Sequence, residues 1–246
     1  MTGPLLIERA DDRVVAMLNR PDKRNAIDQD TIDALHALCA ELEAAPRTLI
    51  LTGAGGVFAS GADIAQLRER RAEDARRAIN ATAFIRVSEL PMPVIAALEG
   101  YALGGGAELA YAADIRIASA TLKIGNPETG LGIIAAAGAT WRLPEIVGGA
   151  RAAELLLTGR VLDADEALAW GLISGIHPAD GLLAAAHAIA DRIAANDPLA
   201  TQYTKRALRA PRHEHPVIER ELQAELFDSA EKMRRMTEFL ERRARR

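Results

Sequence analysis

The chain has 246 residues, 26% of them charged and 49% hydrophobic, with a formal net charge of −4. That is enough chain to bury a substantial core, and the mild negative balance argues against nucleic acid as the main partner. A single cysteine, Cys39, excludes an intrachain disulfide and fits a reducing compartment.

In chain order, Met1–Leu6 lacks a basic region followed by an apolar core, so no leader is expected. Leu5-Leu6-Ile7 and Val14–Leu18 are short apolar runs around Ala10-Asp11-Asp12-Arg13, a hairpin pattern. Asn19–Asn25 is a polar loop carrying several cations. Asp28 or Asp30 suits the N-cap of the next helix, whose apolar stripe is Ile32, Leu35, Cys39 and Leu42. That stripe makes Cys39 a core residue rather than a nucleophile. Thr48–Thr52 reads as a buried strand. Gly53–Ile64 is a small-residue loop ending with Gly61 just before a helix start, where Asp63 complements the first turn. The charge-dense stretch Arg68–Arg77 reads as a solvated helix face. Leu90-Pro91-Met92-Pro93 then breaks the helix ahead of an apolar strand, Val94–Leu98.

Glu99–Glu108, reading E-G-Y-A-L-G-G-G-A-E, is the stretch around which the rest is organised. Gly104-Gly105-Gly106 lets bare backbone turn sharply into a helix. The first N–H groups of that helix lack internal partners and lie at the positive end of its dipole. Such a site suits a carbonyl oxygen becoming an oxyanion, with Glu108 one turn on as a proton carrier. The glycines do not spell G-x-G-x-x-G, so a dinucleotide site is poorly supported.

Asp114–Ala118 and Leu122–Ile124 are further strands, and Gly125–Ala139 is a Gly/Ala-rich loop carrying Glu128. Asp163–Glu166 resembles an Asp-led capping box opening a helix that stops near Gly171. After Pro178 the pattern is helical, with breaks at Pro198, Pro211 and Pro216. Strands and helices therefore alternate first and helices follow alone. This predicts an α/β core over 1–195 and a helical C-terminal subdomain over 196–246. The five histidines show no ligand spacing, so no metal is expected. No apolar run approaches the roughly 20 residues that span a bilayer, so a cytoplasmic protein without a membrane partner is expected.

Three stretches together resemble the crotonase (enoyl-CoA hydratase/isomerase) superfamily: Phe58–Ile64, Gly100–Leu109, and Asn126-Pro127-Glu128 continuing to Leu131-Gly132. Asn19-Arg20-Pro21 with Asn25-Ala26, and Leu155–Gly159 with Glu166-Ala167, match weaker family stretches. The resemblance implies a crotonase-like spiral of ββα units, with C-terminal helices that mediate a homotrimer or a dimer of trimers. It implies an acyl-CoA thioester as substrate and no cofactor, since CoA is part of that substrate. The two backbone N–H groups of the family's oxyanion hole carry over to Ala62 and Gly105. Glu108 then activates water and Glu128 protonates Cα, as in an enoyl-CoA hydratase. CoA contacts are expected from Lys23, Arg24, Ala59, Gly61, Asp63 and Ile64. The sequence departs from the hydratase pattern at Ala135-Ala136 and Ala139-Thr140-Trp141, so Ala136 and Trp141 are expected to shape the acyl pocket. The alternatives are a Δ3,Δ2-enoyl-CoA isomerase, another acyl-CoA lyase or dehydratase of the superfamily, or a non-catalytic binding protein.

Overall fold

The computed structural model describes residues 3–245. Met1 and Thr2, which the leader reading includes, and Arg246 lie outside the described residues. The chain divides into two compact units between Asp191 and Arg192.

The hairpin forms as β1 (Leu5–Arg9) and β2 (Arg13–Leu18), paired antiparallel with Leu5 opposite Leu18. Asp28 caps α1 (Gln29–Ala44) by accepting from Thr31 N. Ile32, Leu35, Cys39 and Leu42 point into the core, and burial pushes the Cys39 thiol up to about 12, as suits a packing residue. β3 (Thr48–Gly53) follows, then the short helices α2 (Ile64–Glu69) and α3 (Ala72–Arg76), and α4 (Ile79–Glu89). β4 (Val94–Leu98) is buried at every residue, as a strand covered on both faces must be.

Between the expected strand and the glycines the chain forms β5 (Tyr101–Leu103), which leaves the first sheet for a second. α5 (Gly105–Ala112), β6 (Ile115–Ser119) and β7 (Lys123–Gly125) follow. The loop after β7 contains a 3-10 turn, Pro127–Leu131. Next come α6 (Ala139–Val147), α7 (Gly149–Thr158), β8 (Val161–Asp163), α8 (Ala164–Ala169) and β9 (Ile176–His177). The Asp163/Glu166 capping box forms as expected.

The larger sheet runs β1-β2-β3-β4-β6-β9, parallel throughout except for β1; the smaller runs β5-β7-β8. Each circuit of the chain lays one strand in the large sheet, a short extended stretch in the small one, and then a helix. β4-β5-α5 is one circuit. β3 followed by the Ala59↔Ala102 bridge and α2 is another. This is the spiral of ββα units.

α9 (Leu182–Ala194) carries the chain across the division. The second unit holds α10 (Pro198–Arg209), α11 (Val217–Phe227) and α12 (Ala230–Ala244). The helical run breaks ahead of Pro198 as expected, and Pro198 is the first residue of α10, where its missing N–H is one that no helix satisfies. In α12, Met233, Met236, Phe239 and Leu240 are exposed, an apolar stripe at helical spacing. Among the described residues no helix is long and apolar enough to cross a membrane.

Candidate active site

β5 and β7 pair in parallel, Tyr101 to Lys123 through Leu103 to Gly125, so both leave the small sheet at the same end. β5 continues through Gly104 into α5, and β7 through Asn126 into the 3-10 turn. Gly104 N donates to Gly125 O at 2.8 Å and extends the ladder by one bond. Gly104 adopts φ +51°, ψ −124°, which a Cβ resists, and a Cβ there would lie 3.1 Å from Glu128 Oε1. Glu108 and Glu128 are thereby brought to one cleft of about 550 Å³, shared with Ala62, Asn80, Gly105 and Ala136.

Glu108 is only 3% exposed, and its Oε1 accepts from Ala137 N at 2.6 Å and Ala139 N at 3.1 Å. Burial pushes its carboxyl up to about 7, with the charge of Glu128 adding to the rise. The two amides and the Arg142 guanidinium pull the other way. Glu128 is also buried, and burial raises it too; Asn126 Nδ2 donates to its Oε1 at 3.4 Å and partly offsets this. Asn126 is oriented in turn by the Tyr111 hydroxyl, which donates to Asn126 Oδ1 at 3.0 Å. Glu128 Oε2 is buried and meets no partner among the described residues. A buried oxygen left unpaired is costly in a purely structural role, so its presence marks a site that works on something absent from the chain.

Arg142 is buried, donates from Nη2 to Ser88 Oγ at 2.8 Å, and packs its guanidinium against Gly138. A Cβ on Gly138 would fall 2.6 Å from Nη1. Gly138 lies between the two amides that hold Glu108, so Arg142 braces that turn as well as supplying positive charge. Arg142→Met is expected to move the titration of Glu108 to higher pH, read from the carboxyl C=O band in difference infrared spectra. An unchanged midpoint would show that the guanidinium charge is screened from Glu108.

The chain on either side of Ala62 is clamped: Ile27 N donates to Gly61 O at 2.8 Å and Asp63 N to Ile27 O at 2.9 Å. Arg20 bridges Asp28 and Asp63 at 3.1 and 3.3 Å, and Asp63 accepts from Ala65 N and Gln66 N as the cap of α2. Gly61, at φ +116°, makes the turn possible. The Ala62 N–H finds no acceptor among the described residues. Gly105 opens α5, so its N–H has no intrahelical acceptor either. A Cβ on Gly105 would sit 3.5 Å from Ala62 N, which places both amides at one spot on the cleft wall.

The remaining expected residues spread over several places. Lys23 and Arg24 are exposed on a 3-10 turn outside this cleft, and Arg24 stands 6.0 Å over the Tyr101 ring. Ala59 is fully buried, its N–H given to Tyr101 O and its carbonyl taken by Leu103 N. Ile64, beside the cap Asp63, is 58% exposed. Ala136 lines the cleft, whereas Trp141 lies on α6 under the Arg142 guanidinium and does not. Arg68–Arg77 is largely exposed, as a solvated face should be. The segment breaks at Arg70-Arg71, and Arg70, Arg71 and Asp74 line the cleft. Asn80 and Tyr111 carried no local signal, while Asn126 was visible only as part of Asn-Pro-Glu.

The family model described as "Enoyl-CoA hydratase/isomerase" matches residues 11–246. The chain is 36% identical to a short-chain-enoyl-CoA hydratase of Clostridium acetobutylicum over 97% of its length and 95% of the relative's. It is 37% identical to a crotonyl-CoA hydratase of Syntrophomonas wolfei, with 97% and 95% covered. The crystal structure of an enoyl-CoA hydratase from Bacillus anthracis superposes with a TM-score of 0.92 at 33% identity, covering 97% of this chain and 96% of that one.

Proposed function

On the premise that this chain belongs to the enoyl-CoA hydratase/isomerase family, we propose that it hydrates 2-enoyl-CoA thioesters to 3-hydroxyacyl-CoA. One observation carries the reading: two unpartnered backbone amides and two buried carboxyls open into a single cleft. Addition of water to Cβ drives the electrons of the double bond toward the thioester oxygen. The amides of Ala62 and Gly105 donate to that oxygen, each worth on the order of 10²–10³ in rate. Glu108 takes a proton from the water as its oxygen bonds to Cβ. Glu128 gives its proton to Cα, and the roles reverse in dehydration. Burial favours a proton held between the two carboxyls, which supplies one base and one acid at the same pH.

The exposed loop cations Lys23 and Arg24 suit the phosphates of CoA, and Ser60 N donates to Arg24 O at 3.0 Å, which sets the turn around Gly61, Asp63 and Ile64 beside that loop. Ala136 bounds the acyl end. The apolar stripe on α12 supports assembly into a homotrimer or a dimer of trimers, which sedimentation equilibrium checks. The chemistry of the site implies no cofactor, and a cytoplasmic location goes with a soluble CoA thioester.

The deciding experiment incubates the protein with short, branched and aromatic 2-enoyl-CoAs and locates the product hydroxyl by mass spectrometry. Formation of 3-hydroxyacyl-CoA is expected. Movement of the double bond from position 2 to position 3 without water uptake would replace this reading by the isomerase one. No turnover of any thioester would leave a binding protein.

A further inference from the structure

Asn80 is the second residue of α4, and its side chain lines the same cleft as Ala62, Gly105 and both glutamates. The helix begins from Ala78, which holds φ +52°, a left-handed conformation that costs free energy in a residue with a Cβ. Strain of this kind, retained beside a cleft, points to a placement that matters.

Arg70 Nη1 donates to Asn80 Oδ1 at 3.3 Å. A guanidinium can only donate, so the amide oxygen must face Arg70 and the NH2 group is turned the other way. There, Nδ2 lies 3.6 Å from the point a Cβ would occupy on Gly105, and Ala62 N lies 3.5 Å from that same point. Among the described residues Nδ2 donates to nothing. Hydrogen bonding of the carbonyl end to a cation also polarises the amide and strengthens its N–H groups as donors.

We infer that Asn80 supplies a third hydrogen bond to the thioester oxygen, beside the Ala62 and Gly105 amides, with Arg70 as the positioning residue that fixes the amide's orientation. This rests on the hydratase reading of the site and adds a side-chain donor to its main-chain pair. Its bond strengthens as charge builds on the oxygen, so its loss falls on kcat more than on KM.

The test compares wild type with Asn80→Leu and Asn80→Asp, both near the size of asparagine, and with Arg70→Met. A hydrogen bond to a charged oxygen corresponds to roughly 10- to 100-fold in rate. Asn80→Leu and Asn80→Asp are therefore expected to lower kcat by that factor, with KM changed less than about threefold. Arg70→Met should show a smaller fall of the same kind. A second readout uses an aryl-conjugated enoyl-CoA, whose absorbance moves to the red when donors polarise its carbonyl. Bound to Glu108→Gln protein, where turnover is blocked, it should lose part of that red shift when Asn80→Leu is added. The aspartate variant carries the same kinetic expectation should the leucine variant fail to fold. Wild-type kcat and an undiminished red shift in either folded Asn80 variant overturn the inference and leave the hydratase reading intact. A wild-type protein that hydrates no enoyl-CoA overturns that reading, and the inference with it.

Discussion

Glu108→Gln is expected to lower hydration of crotonyl-CoA by about 10²–10⁴-fold, the usual contribution of a positioned acid–base group. Glu128→Gln should show a loss of the same order. Glutamine keeps the size of the side chain and an acceptor for the amides of Ala137 and Ala139, but it cannot take or give a proton at neutral pH. Substrate binding should persist, since neither change touches the amides of Ala62 and Gly105.

The same substitution has a second consequence of opposite sign. Burial raises the Glu108 carboxyl to about 7 in the folded chain, whereas an unfolded glutamate titrates near 4.3. Between those values unfolding releases a proton, so the stability supplied by the protonated form is full at low pH. It is lost as pH rises through about 7. Above that, wild type holds a buried carboxylate that Glu108→Gln does not. The variant is therefore expected to melt higher than wild type at pH 8, by a margin of about 3 kcal/mol, and to converge with it below pH 4. A protein both inactive and more stable separates lost chemistry from lost folding. Near-wild-type hydration by Glu108→Gln would remove Glu108 from the reaction, and a variant melting lower at pH 8 would remove the burial argument.

Much of this site was legible in the sequence because its parts are local. Gly104–Glu108 and Asn126–Glu128 each fix a backbone turn and place one carboxyl within a few residues. What escaped depends on packing between distant segments. β5 is three residues, Tyr-Ala-Leu, too short for any alternation to show, yet its switch to the second sheet sets both glutamates at one end. Arg70, Arg71 and Asp74 look like a solvated face because charge density in sequence usually means solvent. They are solvated, and the break at Arg70-Arg71, which no charge pattern shows, also sets them along the cleft. Trp141, one residue before the brace Arg142, stacks against its guanidinium outside the cleft. From the loop before α6, Ala136 lines the cleft together with Ile133, Ile134 and Ala137.

Gly106→Ala is expected to damage both stability and turnover. In an exposed helix the exchange would stabilise by about 1 kcal/mol. Here the new Cβ would fall 2.3 Å from Ala59 O, 2.8 Å from Ala59 Cβ and 2.9 Å from Ala59 C. Two of these three atoms are backbone, and none can swing aside. Ala59 O already accepts from Leu103 N at 3.0 Å, and Ala59 bridges Ala102 in the small sheet. Relief therefore requires α5 to part from the 59–62 segment, which opens buried contacts. Overpacking of this kind typically costs about 1–3 kcal/mol, enough to cancel the helical gain and lower the melting temperature. The same parting draws the Gly105 amide away from the Ala62 amide, so the pair no longer converges on one oxygen. With each donor worth roughly 10²–10³, kcat should fall by at least about 10²-fold even in the fraction that stays folded. Gly130→Ala is the control, because a Cβ there meets nothing within 4 Å and should change neither quantity. Gly106→Ala retaining wild-type melting and turnover would mean that α5 and the 59–62 segment do not meet this closely, and the converging pair of donors would have to be abandoned.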